Sequence, residues 1–427
     1  MYKKTILKNG LRLITVPMES ANSVTVLILV GTGSKYETKD INGISHFLEH
    51  MFFKGTTKRP NTLKISETLD SVGGEYNAFT GNEVTGFWAK VDKKHSDIAL
   101  DWITDIFLNS KFDEIEVERE KGVIIEEVNM YLDTPRAYIQ DLWNELLYGD
   151  TPAGWQTIGT KDTIKSFNRK KVVDYYESHY SPENVIVCVA GAVETEGIEK
   201  KLKDYFENVK GDGASQKVKV KEFQKEPQVL LHNKKTDQTH FCLGVRAYNL
   251  FDKRRYALAL LSIILGGNMS SRLFIKVRER NGLAYSIHTS ADNSTDTGYL
   301  VTQAGIDHKN LEKSIKLILE EYKNLKAKKI TEKELQKAKD YLKGIMSLSL
   351  DASDNQASFY GMQELLEKNI LTPEEKFKKI DEVSADDIQN AAQDIFLPEK
   401  LNLAVIGPVE KKRPKGYPAK IKNLLKI

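Results

Sequence analysis

Residues 44–53 read Ile-Ser-His-Phe-Leu-Glu-His-Met-Phe-Phe, and the pentapeptide at residues 46–50 is the stretch from which we interpret the chain. If this stretch is helical, His46 and His50 lie one turn apart on the same face, with Glu49 beside them. Neutral imidazoles bind zinc, and a nearby carboxylate that is not a ligand can take a proton from water. The pattern H-x-x-E-H therefore predicts two ligands and the base of a catalytic zinc site. The alternative is a structural histidine pair, which is awkward to bury on an apolar helix without hydrogen-bond partners.

Length and composition describe a soluble globular protein with two domains. At 427 residues the chain exceeds the size at which one hydrophobic core keeps growing, so two domains of about 200 residues are expected. The net charge of +3, from 63 basic and 60 acidic residues, is too small to favour a nucleic-acid partner. No stretch approaches the roughly 20 apolar residues that span a bilayer, so no membrane partner is expected.

The cysteines and the N-terminus predict a reducing compartment. Cys188 and Cys242 lie in apolar stretches without Cys-x-x-Cys spacing, which is typical of buried free thiols. Residues 1–10 lack the continuous apolar segment of a signal peptide, and the chain does not begin with an Arg/Ser-rich transit sequence. The expected location is cytoplasmic.

Two similar sequences lie half a chain apart. Residues 184–194 read NVIVCVAGAVE, residues 402–410 read NLAVIGPVE, and both follow a Pro-Glu pair. The offset between Gly191 and Gly407 is 407 − 191 = 216 residues. This repeat predicts two homologous domains in tandem, at residues 1–208 and 228–427, joined by a Gly/Ser/Lys-containing linker at residues 209–227. The second copy has no histidine in the helix corresponding to residues 46–50, so the predicted metal site belongs to the first copy alone.

A second informative stretch, residues 119–129, reads REKGVIIEEVN and is predicted to be helical. Glu120 and Glu127 are seven residues apart, which is two helical turns, so both project from nearly the same face and can approach the histidine pair. A solvated acidic helix is the alternative. It fits the acids at 114, 116 and 118 better than Glu127, which follows the apolar residues 123–125.

Together these elements resemble the pitrilysin family of zinc peptidases, in particular its short bacterial members similar to the β subunit of mitochondrial processing peptidase. The resemblance covers nearly the whole chain. It depends on four elements in the family's order: HFLEHMFFKGT at 46–56, NAFT at 77–80, the acidic stretch at 119–127, and LGGNMSSRL with RERNGLAYS at 265–286. It implies an α+β fold of two tandem homologous domains, each a mainly antiparallel sheet flanked by helices.

The resemblance also implies a site. One Zn²⁺ per chain would be held by His46, His50 and Glu127, the last chosen over Glu126 by the family's spacing of 127 − 46 = 81 residues. Glu49 would be the general base, and Glu120 would orient a histidine ligand.

Residues outside the ligand set are given roles in substrate binding. By resemblance, Asn77, Ala78 and Phe79 belong to an edge strand to which a substrate peptide adds. Arg278 and Tyr285, from the second domain, would bind substrate and stabilise the oxyanion.

The activity that the resemblance implies is zinc-dependent endopeptidase cleavage of unfolded peptides, or of precursor leader peptides, inside a chamber closed by two chains. A chain of this length supplies half of such a chamber, so a dimer is expected. Because the chain carries both the zinc ligands and the pair Arg278 and Tyr285, a homodimer is favoured, and a heterodimer with a related chain is the alternative. A non-catalytic structural or assembly subunit on the same fold is the competing function. The sequence does not separate precursor processing from general peptide degradation.

Overall fold

The computed structural model describes residues 2–211, 216–409 and 416–425. Residues 212–215 of the predicted linker lie outside the described residues. The fold is α+β, with two sheets of mostly antiparallel strands flanked by helices, so the predicted fold class is confirmed.

The first sheet has six strands: β1 Lys3–Ile6, β2 Arg12–Pro17, β3 Ser23–Val30, β4 Glu75–Thr80, β5 Thr85–Asp92 and β6 Val185–Gly191. Their order across the sheet is β1-β2-β6-β3-β5-β4, and only the β2–β6 pair is parallel. The apolar strands β3 and β6 are almost entirely buried, as expected for central strands covered on both faces. Strand β4 lies at the edge and is only partly buried.

The second sheet has five strands: β7 Gln228–Asn233, β8 Thr239–Arg246, β9 Ala284–Asn293, β10 Gly298–Ile306 and β11 Leu401–Gly407. Their order is β7-β11-β8-β10-β9, and only the β7–β11 pair is parallel. Strands β6 and β11 differ by 401 − 185 = 216 residues at their starts, the offset of the sequence repeat. Apart from β1, the two sheets have the same order and directions, so the predicted internal duplication is confirmed.

The α-helices of the described residues are, in chain order, α1 Ile44–Met51, α2 Thr62–Asp70, α3 Ser96–Asn109, α4 Glu114–Leu132, α5 Pro135–Tyr148, α6 Lys161–Ser166, α7 Arg169–His179, α8 Thr195–Phe206, α9 Arg255–Gly266, α10 Leu311–Ala327, α11 Glu332–Ser349, α12 Ser353–Leu366, α13 Pro373–Asp381, α14 Ala385–Ile395 and α15 Tyr417–Leu424. None of them is both long and apolar enough to cross a membrane. Cys188 and Cys242 are buried free thiols, as predicted.

The chain divides into two compact units that do not coincide with its two halves. One unit comprises Met1–Asn129, Trp155–Val218 and Ser347–Ile370; the other comprises Met130–Gly154, Lys219–Met346 and Leu371–Ile427. Each half of the chain thus contributes a helical segment to the unit built mainly from the other half. The predicted domain boundaries at residues 208 and 228 describe the sequence repeat, and they stay a prediction.

The contributed helices are α12 and α5. Helix α12 packs on β3 and β6 of the first sheet, where Ala357 and Tyr360 join an apolar cluster with Cys188. It can approach closely because it carries Gly361: a Cβ there would lie 2.8 Å from Cδ1 of Leu29. Helix α5 packs in the same way on β11 and β8 of the second sheet.

Candidate metal centre

The histidine pair lies on α1, as the pattern predicts. The helix ends at Met51, and Gly55, after a short turn, has a φ of 146°. His46 and His50 lie on one partly exposed face, with ring centroids 4.7 Å apart. The opposite face holds α1 in the core through four fully buried apolar side chains: Ile44, Phe47, Leu48 and Met51.

Helix α4 places Glu127 opposite this pair. Its Oε1 lies 3.7 Å from Nε2 of His46, and its Oε2 lies 3.5 Å from Nε2 of His50. One ligand atom from each of the three residues lies within 4.8 Å of the other two, the one such group of potential metal ligands found among the described residues. The neighbouring Glu126 points elsewhere: it is exposed and accepts a hydrogen bond of 3.2 Å from Asn129.

The donor set fits zinc. Separations of 3.5 and 3.7 Å are longer than the roughly 2.7–3.2 Å of a hydrogen bond with a nitrogen donor. Two ligand atoms that are each about 2.1 Å from a tetrahedral zinc ion lie about 3.4 Å apart. Two imidazole nitrogens and one carboxylate oxygen are also one of the three-ligand sets found in catalytic zinc sites.

The environment favours neutral, metal-binding imidazole. Burial, together with the charge of His50, lowers the pKa of His46 to about 3, so this ring is unprotonated at neutral pH. Burial also raises the pKa of Glu127 above its ordinary value. A cation at this position would stabilise both groups in the forms that bind a metal, which are the neutral ring of His46 and the ionised carboxylate of Glu127.

A second carboxylate lies behind His50. Oε1 of Glu120 lies 2.8 Å from Nδ1 of His50, and Oε2 accepts a hydrogen bond of 2.6 Å from Nζ of Lys54. Burial alone would raise the pKa of Glu120, but the bonds from His50 and Lys54 outweigh it and hold the pKa below its usual value. The predicted position of Glu120 against a histidine is therefore observed. Lys54 was not predicted to belong to the site; its only signal in the sequence is that it lies four residues after His50.

Glu49 lies on α1 outside the ligand group. Its Oε2 accepts a hydrogen bond of 2.5 Å from Oγ1 of Thr80, the last residue of β4. Burial raises the pKa of Glu49, and the Thr80 hydrogen bond opposes the rise. Thr80 was not predicted to have a role, although it is the last residue of the NAFT element at 77–80.

Asn77, Ala78 and Phe79 lie on β4, which pairs with β5 on one side and is an edge strand of the sheet as described. The Ala78 N–H donates a hydrogen bond of 2.9 Å to the side-chain oxygen of Asn77. The ring of Phe79 covers Gly86 of β5, where a Cβ would lie 2.3 Å from the ring. The three residues thus lie on a strand whose second backbone edge pairs with no other strand among the described residues.

Arg278 and Tyr285 are brought together in the other unit. Arg278 lies in a π-helical segment, Phe274–Glu279, and its Cζ is 5.2 Å from the centre of the Tyr285 ring and 4.7 Å from that of Phe274. Tyr285 is the second residue of β9 and is 79% exposed. Single π-helical turns are frequent at functional sites, so the segment that carries Arg278 has a feature typical of such sites.

Comparison with known proteins identifies the family. Residues 12–161 match the family model described as insulinase, peptidase family M16, and residues 166–342 match the model described as peptidase M16 inactive domain. The chain belongs to peptidase family M16. Within the M16 matches, His46, His50 and Glu127 fall in the first region, and Arg278 and Tyr285 fall in the second.

This M16 chain has relatives of similar length. It is 37% identical over 408 residues to an uncharacterized zinc protease of Bacillus subtilis, covering 96% of this chain and 98% of that protein. It is 33% identical over 417 residues to one of Streptomyces coelicolor, covering 96% and 90%.

Among solved structures, a protease from Helicobacter pylori shares the fold with a TM-score of 0.89 at 24% identity, covering 96% of this chain and 99% of that one. A peptidase M16 inactive domain from Pseudomonas fluorescens matches with a TM-score of 0.86 at 17% identity, covering 97% and 100%. Both likenesses show the M16 fold.

Proposed function

We propose that this M16 chain is a zinc-dependent endopeptidase that hydrolyses unfolded peptides or precursor leader peptides. The observation that carries the proposal is the convergence of His46, His50 and Glu127 within 4.8 Å, with Glu49 on the same helix as the two histidines. Its membership of a peptidase family and its relatives named zinc proteases support it. The competing function, a subunit without activity, has no use for an intact ligand set and base.

In this proposal His46, His50 and Glu127 hold one Zn²⁺ ion per chain. When bound, zinc supplies a Lewis acid that polarises the substrate carbonyl and makes water a stronger nucleophile at neutral pH. Glu49 takes a proton from the attacking water at its carboxylate and transfers it to the leaving amine nitrogen. Its raised pKa brings its proton affinity closer to what such a two-way transfer needs. Glu120 holds the His50 ring by its Nδ1.

Substrate binding is assigned to two groups of residues. A peptide adds to the free edge of β4 beside Asn77, Ala78 and Phe79, and backbone pairing of this kind gives affinity with little sequence preference. Arg278 and Tyr285 are assigned to binding the peptide and stabilising the oxyanion, by a cation and a phenol hydroxyl.

The proposed active form is a homodimer, with a heterodimer as the alternative. Two chains would enclose the site in a chamber that admits unfolded peptides and excludes folded proteins. Light scattering is expected to report about twice 48.4 kDa, and a monomeric active enzyme contradicts this part of the proposal.

The proposal is tested by cleavage of a peptide library, read by mass spectrometry, with the wild type and Glu49→Gln. The wild type is expected to cleave unstructured peptides and to stop when a chelator removes zinc. Glu49→Gln is expected to retain one zinc per chain and to lose about 100-fold or more in kcat, because general bases contribute roughly that much. A variant that retains zinc and activity removes Glu49 as the base. A zinc-loaded wild type that cleaves no peptide favours the non-catalytic subunit.

A further inference from the structure

A buried carboxylate lies at the start of the histidine helix. Glu37 is 2% exposed, and its carboxylate accepts hydrogen bonds from residues 42–45, where α1 begins. Its Oε2 accepts from the Gly43 N–H at 2.8 Å and from the side-chain amide of Asn42 at 3.0 Å. Its Oε1 accepts from the Ser45 N–H at 2.8 Å. Both oxygens are therefore used, and two backbone donors that a helix start leaves unsatisfied are capped.

The first turn of α1 is also held by its side chains. The hydroxyl of Ser45, the residue before His46, lies 2.7 Å from the hydroxyl of Tyr175 on α7. That hydroxyl lies in turn 2.9 Å from Oγ1 of Thr32. Ser45, Thr32 and Tyr175 are all buried, so this network is shielded from competition with water.

The chain is closely packed where it enters the helix. Gly43 has a φ of 95°, and a Cβ there would lie 2.6 Å from the carbonyl oxygen of Ile158 and 2.7 Å from Cα of Gly159. The chain therefore enters α1 pressed against residues 158 and 159, in a conformation that favours glycine. The backbone contact at Gly43 and the hydrogen bonds of Glu37 both restrain the start of α1.

We infer that Glu37 is a positioning residue for the zinc centre: it fixes the axial position and rotation of α1, and with them the placement of His46, Glu49 and His50 opposite Glu127. The inference rests on the proposed function. A rotation of α1 by about 10° would move side-chain atoms about 5.5 Å from the helix axis by about 1 Å. A misplacement of about 1 Å can cost on the order of 100-fold in rate, so a distant anchor has a measurable effect.

The test compares Glu37→Gln with Glu364→Gln. Glu364 is a matched control because it is also 2% exposed in the same unit, but it lies on α12 and pairs with Lys4 at 2.7 Å and Arg12 at 3.7 Å, not with the residues that begin α1. An amide offers one acceptor oxygen to the three donors around Glu37, so Glu37→Gln loosens the anchor. Zinc affinity is measured by competition with a chromogenic chelator below the melting temperature, and kcat and KM are measured separately on zinc-saturated protein.

Glu37→Gln is expected to bind zinc about 10–100-fold more weakly, the range seen when groups that orient ligands are changed. Its kcat is expected to fall while KM stays near the wild-type value. Glu364→Gln is expected to melt at a lower temperature and to keep wild-type zinc affinity. Equal zinc affinity in the wild type and both variants overturns the inference, and so does an equal loss in both variants, because that would be a general effect of stability.

Glu37→Asp is the second variant if Glu37→Gln does not fold. It keeps the charge but withdraws the carboxylate by one methylene from its three donors, and it is expected to weaken zinc binding in the same direction; unchanged affinity overturns the inference. Failure of the proposed function looks different. A wild type that binds zinc but cleaves no peptide contradicts the peptidase and leaves the zinc-affinity comparison to decide the role of Glu37. A wild type that binds no zinc contradicts both.

Discussion

Nδ1 of His50 lies 2.8 Å from Oε1 of Glu120, on the side of the ring away from Glu127. An ionised carboxylate only accepts, so this contact assigns the ring proton to Nδ1 and leaves the lone pair of Nε2 facing Glu127. The low pKa of Glu120, held down by His50 and Lys54, keeps the carboxylate in the form that does this. The orientation of one ligand is therefore built in before any metal binds.

Removing that acceptor should weaken zinc binding. Glu120→Gln is expected to lower zinc affinity about 10–100-fold, because an amide no longer fixes the tautomer of His50 with a charge. The control is Glu118→Gln, which changes an exposed acid on the same helix that pairs with Lys121. Chelator competition measures both variants. Equal affinities for Glu120→Gln and the control would contradict the orienting role.

Of the two adjacent acids Glu126 and Glu127, only Glu127 faces the histidines, and it is therefore assigned as the third ligand. Glu127→Gln is expected to bind zinc more than about 100-fold more weakly than the wild type, because it removes a direct anionic ligand. This loss exceeds the roughly 10–100-fold effect of changing a residue that contacts only a ligand. Glu126→Gln is expected to bind zinc as the wild type does, since Glu126 is exposed and bonds to Asn129. Metal content after dialysis, measured by atomic emission, gives the answer. Loss of zinc in Glu126→Gln with retention in Glu127→Gln would reverse the assignment.

Thr80 connects the strand proposed to bind substrate with the proposed base, through its 2.5 Å hydrogen bond to Glu49. Thr80→Val keeps the shape and removes the donor, so kcat is expected to fall about 10–100-fold, given that a hydrogen bond to a charged group is worth about 1.5–3 kcal/mol. Zinc content is expected to stay unchanged. Thr80→Ser keeps the hydroxyl and should restore most of the activity. If serine and valine variants are equally active, Thr80 does not position Glu49.

Local spacing in the sequence predicted the parts of the site that lie on one helix. His46 and His50 share a face because four residues make about one turn, and Glu120 and Glu127 share a face because seven residues make about two. The preference for Glu127 over Glu126 came from the family resemblance, and it agrees with the side of α4 that faces α1.

Contacts between elements distant in sequence were not predictable in the same way. The bond from Thr80 joins a strand end to a helix, and the three bonds of Glu37 depend on how a loop folds back under α1. Neither leaves a periodic pattern. The exchange of α5 and α12 was missed for a related reason: an apolar stripe shows that a helix is covered, but not which of two homologous sheets covers it.

Asp141 gives a prediction about stability that is independent of the metal. This residue lies on α5, and burial alone raises its pKa to about 6 from an ordinary 3.8. The folded state therefore binds the proton more tightly than the unfolded state, so this group favours folding below about pH 4 and loses that contribution as pH rises through about 6. Asp141→Asn is expected to raise stability at pH 8 by about 1–2 kcal/mol, a discount on the full shift because the side chain is partly exposed.

The measurement is the melting temperature of zinc-free wild type and Asp141→Asn at pH 5 and pH 8. The melting temperature of Asp141→Asn is expected to exceed that of the wild type by about 2–4 °C for each kcal/mol of added stability, for a domain of this size. This increase should be larger at pH 8 than at pH 5. Glu145→Gln, an exposed acid on the same helix, is the control and should change neither value. A gain that is the same at both pH values would mean that the carboxylate is not destabilised by its surroundings, since only the ionised form carries the cost of burial.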